Sequence, residues 1–408
     1  MKVCLYTLGC KVNQYESGGL HKELQDRGFE VCDSLEPADI YIINTCAVTA
    51  EAERKSRNSI TKCLALNPFS KIFAIGCAVQ KNAAQFLEKD NVVYVNGNAN
   101  KKKVLELIEK TQIDDISLEF EDFVSTINSR TRAFVKVQDG CNNFCSYCIV
   151  PYLRGRSRSR EISSVVDEIK GLKNCNEVVL TGINLSDYKF GGLGKLAEEV
   201  DKVGMRFRFG SLEVNVITDE FLNILKNLNH FCPQFHLSLQ SGSTAVLKKM
   251  NRHYTAEEYV AACDKIQSTF ENANITTDVI VGFPSETDDN FNETIDLAKR
   301  VAFGDMHIFP YSKRSGTQAE KFKDLPKSVK TERAKALSLV RDNLKISYIE
   351  KFSGKRLTML SEDQEDGYTV GHTENFIKVY LNENTPHNQL INVKIIAPFK
   401  DGALAERS

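Results

Sequence analysis

Three cysteines in this chain stand close enough in sequence to act together. Cys141, Cys145 and Cys148 have C-x3-C-x2-C spacing within Asp139-Gly140-Cys141-Asn142-Asn143-Phe144-Cys145-Ser146-Tyr147-Cys148. One turn of a loop can aim three such thiolates at a single point, which suits an iron–sulfur cluster. A four-iron cluster held by three cysteines keeps one iron open to another molecule. Gly140 and the small polar residues supply the loop conformation. Tetrahedral zinc needs a fourth ligand, and neither His nor a further Cys follows nearby. Three neighbouring thiols packed as small hydrophobes are the plain alternative.

Cys10, Cys46 and Cys77 are remote from one another but share a context. Each follows an apolar strand-like run (residues 3–8, 39–43 and 71–75) and precedes helix-like sequence. That is the pattern of a flavodoxin-like α/β domain. Parallel strands end on one edge, so three such loops can converge on one site. The glycine ahead of Cys10 and of Cys77 allows a sharp turn. Spacing alone leaves open a second cluster or buried thiols at strand ends. Cys4, Cys32, Cys63, Cys175, Cys232 and Cys263 share no pattern and read as fillers.

The 408 residues suffice for two to four domains. Net charge is −1, so no general attraction to nucleic acid is built in. With 42% apolar and 26% charged residues the composition excludes collagen-like, coiled-coil and disordered classes. No apolar run approaches the ~20 residues of a membrane span. Residues 1–10 enter strand-like sequence directly, so a cytoplasmic protein is expected, in which 12 cysteines do not imply disulfides. From 133 to 312, strand-like runs (133–138, 177–181, 206–211, 235–240, 276–283, 305–310) alternate with amphipathic segments (162–172, 219–228, 256–269, 290–301). Six βα repeats predict a parallel sheet, open or a partial barrel, with its site at the C-terminal strand ends. Gly182 and Asn184, Ser211 and Glu213, Ser238 and Gln240, and then Arg252, fall at or just past those ends. Singly, each reads as a cap or turn residue.

Tyr147 fills the aromatic slot of C-x3-C-x-aromatic-C, which resembles the signature of radical S-adenosylmethionine (SAM) enzymes. The resemblance implies a [4Fe–4S] cluster on Cys141, Cys145 and Cys148 whose open iron binds SAM and cleaves it to a 5′-deoxyadenosyl radical. It also implies SAM contacts from Tyr147, Gly182, Asn184, Ser211, Glu213, Gln240 and Arg252. The runs Thr7–Ser17 (TLGCKVNQYES), Asn44–Thr49 (NTCAVT) and Gly76–Gln80 (GCAVQ) are similar to the three boxes of the methylthiotransferase family. There, Cys10, Cys46 and Cys77 would hold an auxiliary [4Fe–4S] cluster that supplies sulfur. The form GCKVNQYES resembles the MtaB-type branch, which modifies N6-threonylcarbamoyladenosine at position 37 of tRNA. Gly18 stands where that branch usually has an acid. Branches acting on isopentenyladenosine or on a ribosomal-protein aspartate, and an RNA-binding iron–sulfur sensor, are the rival readings.

Arg154, Arg156, Arg158 and Arg160 alternate, and in an extended segment would line one face suited to RNA phosphates. Residues 327–350 read as a charged helix, and 118–132 as a joining segment. Strand-like runs at 355–361, 368–372, 376–381 and 391–397 predict a small antiparallel barrel. Its residues 371–380 resemble the TRAM domain, which contacts tRNA. From residue 343 on, eight Lys and Arg face nine Asp and Glu, so charge does not carry that reading. The expected architecture is a flavodoxin-like N-terminal domain (1–117), a partial (β/α)6 radical SAM barrel (127–342) and a C-terminal TRAM barrel (343–408). The expected partners are tRNA, through its anticodon loop, and an external one-electron donor such as a flavodoxin or ferredoxin, with the enzyme a monomer and no membrane involved.

Overall fold

The computed structural model describes residues 1–89, 91–106, 120 and 131–408. The joining segment expected at 118–132 lies, apart from residues 120, 131 and 132, outside them. Strands β1 (Lys2–Thr7), β2 (Glu30–Cys32), β3 (Ile40–Thr45), β4 (Lys71–Gly76) and β5 (Val92–Asn96) form an all-parallel sheet in the order β2-β1-β3-β4-β5. Period-two alternation sends Val3, Leu5, Ile40 and Ile42 to one apolar core and Cys4, Tyr41 and Ile43 to the other. Both faces are therefore covered, as parallel sheets require. This is the flavodoxin-like order expected for the N-terminal domain. The helices Lys11–Asp26 and Ala50–Leu66 start just after Cys10 and Cys46, and Cys77 opens the short helix Cys77–Lys81. Thr49 starts the second of these by accepting from the Ala52 amide.

The middle domain contains β6 (Ala133–Lys136), a two-residue ribbon of β7 (Gln138–Asp139) and β8 (Arg158–Ser159), and β9 (Glu177–Thr181), β10 (Arg206–Phe209), β11 (Ser211–Leu212), β12 (Gln234–Leu237), β13 (Asn274–Val281) and β14 (Asp305–Pro310). Two parallel sheets, β10-β9-β6 and β11-β12-β13-β14, meet at Gly210. The run from β10 into β11 is one strand that pairs with β9 first and β12 later. Counted so, six strands make the expected partial barrel, and one large apolar core fills the layer between strands and helices.

The C-terminal domain closes as a five-stranded barrel in the order β15-β16-β17-β19-β18. Its strands are β15 (Arg356–Glu365), β16 (Tyr368–Thr373), β17 (Lys378–Leu381), β18 (Leu390–Phe399) and β19 (Gly402–Arg407). The sequence pattern predicts four strands. The fifth, β19, was missed because its short alternation stands at the chain end, and it pairs parallel with β17 to close the barrel. The boundary placed at 342/343 falls inside the helix Lys327–Glu350. That helix serves two cores: Leu337 packs in the middle domain, while Tyr348 and Ile349 pack in the C-terminal barrel.

A buried ion cluster joins these last two domains. Glu177, wholly buried, receives Arg132, Arg206 at 2.6 Å and Arg208 at 2.8 Å. Arg132 also meets Glu362 of β15 at 2.7 Å, and Arg206 donates to the Thr358 carbonyl at 3.0 Å. Among the described residues no helix is long and apolar enough to cross a membrane.

Candidate active site

After β7 the chain turns at Gly140, whose φ of +69° and whose missing Cβ, which would stand 2.0 Å from the Arg156 carbonyl, make glycine necessary. The loop that follows is tied locally: the Cys141 amide donates to Gly155 O at 3.1 Å, and the Cys148 amide to Cys145 O at 2.9 Å. Asn251 donates to the carbonyls of Asn143 and Phe144 and pins its tip. Cys141, Cys145 and Cys148 all face one cavity of about 1370 Å³. Burial pushes the Cys141 thiol up to about 11 and that of Cys148 up to about 12. Such thiols stay protonated until a metal displaces the proton.

Opposite this loop, Arg252 donates to Cys145 Sγ at 3.2 Å, pairs with Glu213, and donates to Tyr254 at 3.1 Å. The Tyr254 hydroxyl donates to Ser238 O at 2.6 Å, which fixes Arg252 to the end of β12. Asn184 is buried and its amide donates to Gln138 Oε1 at 2.7 Å. A Cβ on Gly182 would stand 2.9 Å from that same oxygen. Gln240 is buried with φ +66°, and its backbone bridges to Asp278 O and Ile280 N. Glu213, Ser211, Gly182, Asn184, Gln240, Arg252 and Tyr147 thus all line the cavity.

Cys10, Cys46 and Cys77 line the same cavity, from the edge where β1, β3 and β4 end. These strands are neighbours, so their C-terminal turns adjoin. Gly9 (φ +111°) and Gly76 (φ +98°) make those turns; a Cβ on Gly9 would lie 3.0 Å from Cys46 Sγ. Cys46 and Cys77 are buried and Cys10 is exposed. Burial raises the Cys46 thiol to about 11. Asn98 donates to Cys77 Sγ at 3.4 Å and to Leu153 O at 2.8 Å. Arg314 reaches across from the middle domain to Val48 O at 3.2 Å and Glu53 at 3.2 Å, and its Nη2 is buried without a partner.

The arginine row does not survive as one face. Arg154 ends the helix Val150–Arg154 and is buried on Glu16 and Asp139, each at 3.1 Å. Arg160 is buried on Glu168 and the Tyr15 hydroxyl. Arg158 is half-buried and turns back to Arg154 O at 2.8 Å. Only Arg156 of the four is exposed, over the Phe144 ring at 4.4 Å. The helix breaks the alternation, and acids remote in sequence draw two guanidiniums inward.

Sequence reasoning also passed over Asn13, Glu16, Gln138, Asn98 and Arg314, which hold the loops rather than carry a motif. It passed over His236, Asp278 and His307 on the barrel's inner wall, where His236 meets Asp278 at 3.3 Å. Period-two alternation with inward polar residues was the available signal.

A family model described as the Radical SAM superfamily matches residues 135–298, and one described as Uncharacterized protein family UPF0004 matches residues 2–97. Threonylcarbamoyladenosine tRNA methylthiotransferase MtaB of Bacillus subtilis (strain 168) is 35% identical, over 98% of this chain and 95% of its own. The chain belongs to the radical SAM methylthiotransferase family. A protein of the same name from Chlamydia pneumoniae is 37% identical to this methylthiotransferase over 98% of the chain and 97% of its own. The tRNA-2-methylthio-N(6)-dimethylallyladenosine synthase of Clostridium novyi (strain NT) is 34% identical, over 95% of the chain and 92% of its own. The structure of the radical SAM methyltransferase TsrM from Kitasatospora setae, with cobalamin and a [4Fe-4S] cluster bound, is similar in fold. Its TM-score is 0.57 at 15% identity, over 76% of this chain and 74% of that one.

Radical SAM methylthiotransferases use SAM and [4Fe–4S] clusters, and the residues of this chain fit both. Among the described residues no three His, Cys, Asp or Glu are set to hold a single metal ion. Three thiolates around one zinc would stand about 3.8 Å apart, given Zn–S bonds of about 2.3 Å. Each cysteine triplet instead lines a cavity larger than the roughly 300–1,000 Å³ that one small ligand occupies. The unpartnered Arg314 Nη2 suits an anionic group beside Cys46.

Proposed function

We propose that this enzyme adds a methylthio group to C2 of N6-threonylcarbamoyladenosine at position 37 of tRNA. The observation that carries the reading is the sharing of one cavity by both cysteine triplets, in a chain related over its whole length to enzymes of that name. In this reading Cys141, Cys145 and Cys148 hold the radical-generating cluster, and Cys10, Cys46 and Cys77 the auxiliary one. When bound, the clusters and SAM supply the one-electron, sulfur and methyl chemistry that no side chain can.

The chain's own groups bind, orient and exclude water. Arg252 offers a forked cation to a carboxylate beside Cys145, and Glu213 accepts from hydroxyls. Asn184, Gly182, Ser211, Gln240 and Tyr147 complete the SAM contacts. At the exposed rim, Arg156 stacks on Phe144, which packs edge-on against Tyr152 at 5.6 Å. An arginine beside a half-buried and an exposed aromatic ring can seat a splayed-out base and its phosphate. The C-terminal barrel is assigned a second tRNA contact, on its likeness to the TRAM domain. An external one-electron donor of the flavodoxin or ferredoxin class, a monomeric state and a cytoplasmic location belong to the same proposal.

The dimethylallyladenosine branch is a second reading, since relatives of that name reach 34% identity. The GCKVNQYES run and the 37% identity to an MtaB favour the first. Mass spectrometry of tRNA nucleosides from a deletion strain tests both. Loss of the 2-methylthio-threonylcarbamoyl nucleoside is expected. Its retention with loss of the dimethylallyl product would move the enzyme to the second branch. Retention of both with an altered ribosomal-protein aspartate would make the substrate a protein. Absence of SAM cleavage by the reconstituted protein would leave an RNA-binding sensor.

A further inference from the structure

A buried polar cluster lies between the two cysteine sites and takes no part in the chemistry assigned above. At its centre is Arg154, 2% exposed, at the end of the helix that follows Cys148. Its Nη1 donates to Asp139 and Glu16, each at 3.1 Å, and its Nη2 donates to Asn13 Oδ1 at 2.6 Å. Asp139 stands two residues before Cys141. Asn13 stands three residues after Cys10, and its amide donates to Leu8 O at 2.8 Å and Thr45 O at 3.0 Å. Those carbonyls belong to the backbone leading into Cys10 and Cys46. Glu16 is held in turn by Lys101 at 2.5 Å. One guanidinium is therefore linked, through single hydrogen bonds, to both cysteine loops. Its planar fork can do this, whereas an ammonium on a flexible stem cannot span the same partners. The guanidinium also lines the cavity that Cys10, Cys46 and Cys77 share.

We propose that Arg154 is a positioning residue, which sets the auxiliary cysteine loops against the radical-cluster loop and keeps a fixed positive charge beside Cys10, Cys46 and Cys77. The inference rests on the reading that those three cysteines hold a [4Fe–4S] cluster. A cation beside a cluster favours its reduced form and raises its potential. The rigid link keeps the sulfur-bearing site and the radical-forming site at one separation, so that each cleaved SAM leads to transfer.

The test uses the full chain, reconstituted anaerobically, in three variants. Arg154→Gln should lower the auxiliary midpoint potential, read in a Cys145→Ala background. It should also cut methylthiolation per SAM cleaved by about tenfold or more. Arg154→Lys should leave the potential near that of the parent and still lose that coupling. Asn13→Ala, which strands no charge, should lower the coupling and alter the magnetic interaction between the two reduced clusters, with the potential unchanged. Should Arg154→Gln not fold, the other two variants decide. Parent-like coupling and magnetic interaction in Arg154→Lys and Asn13→Ala, or an unshifted potential in Arg154→Gln, would overturn the proposal. A parent protein with about four irons rather than about eight would instead overturn the two-cluster reading.

Discussion

The two cysteine sites face one cavity but are built by opposite means. Cys141, Cys145 and Cys148 lie within one loop, held by backbone hydrogen bonds such as Cys148 N to Cys145 O and by a single glycine turn. Cys10, Cys46 and Cys77 come from three turns that adjoin only because β1, β3 and β4 are neighbours in one parallel sheet. The first site is local and travels with its loop. The second exists only when the register of a whole domain is right, and a one-residue slip would turn its residues to the other face.

The sharpest way to break this contrast is to remove one ligand from each. Cys145→Ala should abolish both SAM cleavage and methylthiolation. Cys46→Ala should abolish methylthiolation alone and lower iron from about eight to about four per chain. Loss of both activities in Cys46→Ala would mean the sites are not separable.

Next in size is a change that strains the sheet edge and leaves the loop alone. At Gly76, φ is +98° and a Cβ would stand 2.7 Å from Asn44 Oδ1 and 2.8 Å from Thr45 O. Gly76→Ala should cost about 1–3 kcal/mol in the thermal unfolding of the apoprotein. It should deplete auxiliary iron while radical-cluster iron stays.

Acid provides a perturbation in a third region, the C-terminal barrel, whose Glu362 and His372 also line the cavity. Burial acts to raise Glu362, but the hydrogen bond and charge of His372, and then Arg132, outweigh it and bring the carboxyl to about 2. A depressed carboxyl contributes stability that is fully present above its unfolded value of about 4.3. That contribution, at most about 3 kcal/mol, is lost as pH falls from there toward 2. Chemical denaturation of the parent and of Glu362→Gln at pH 5 and pH 3 checks this. The parent should lose more stability than the variant between the two, and equal losses would remove the assignment.

The smallest effect concerns the rim. Arg156→Ala should reduce the salt dependence of tRNA binding by about one phosphate contact and leave unfolding unchanged. Arg160→Ala should instead destabilise, since Glu168 would stay buried and lose its guanidinium partner.

The chain alone was enough to reveal the C-x3-C-x2-C loop, the six strand runs of the barrel and the three cysteine boxes, because a loop motif and a period-two pattern are local properties. Gln240, Asn184 and Arg252 were legible for the same reason, as polar residues past apolar strands. What folding decided was long-range. The alternation of Arg154 to Arg160 reads as a surface row, yet Glu16, 138 residues away, and Asp139 draw Arg154 into the seam between two domains. The strand β19 reads as a tail until β17 pairs with it. The six cysteines could be named as two sets of three from their contexts, but their meeting in one cavity depends on how two sheets pack. Local sequence sets which residues can do chemistry; burial and pairing across the whole chain determine which of them face it.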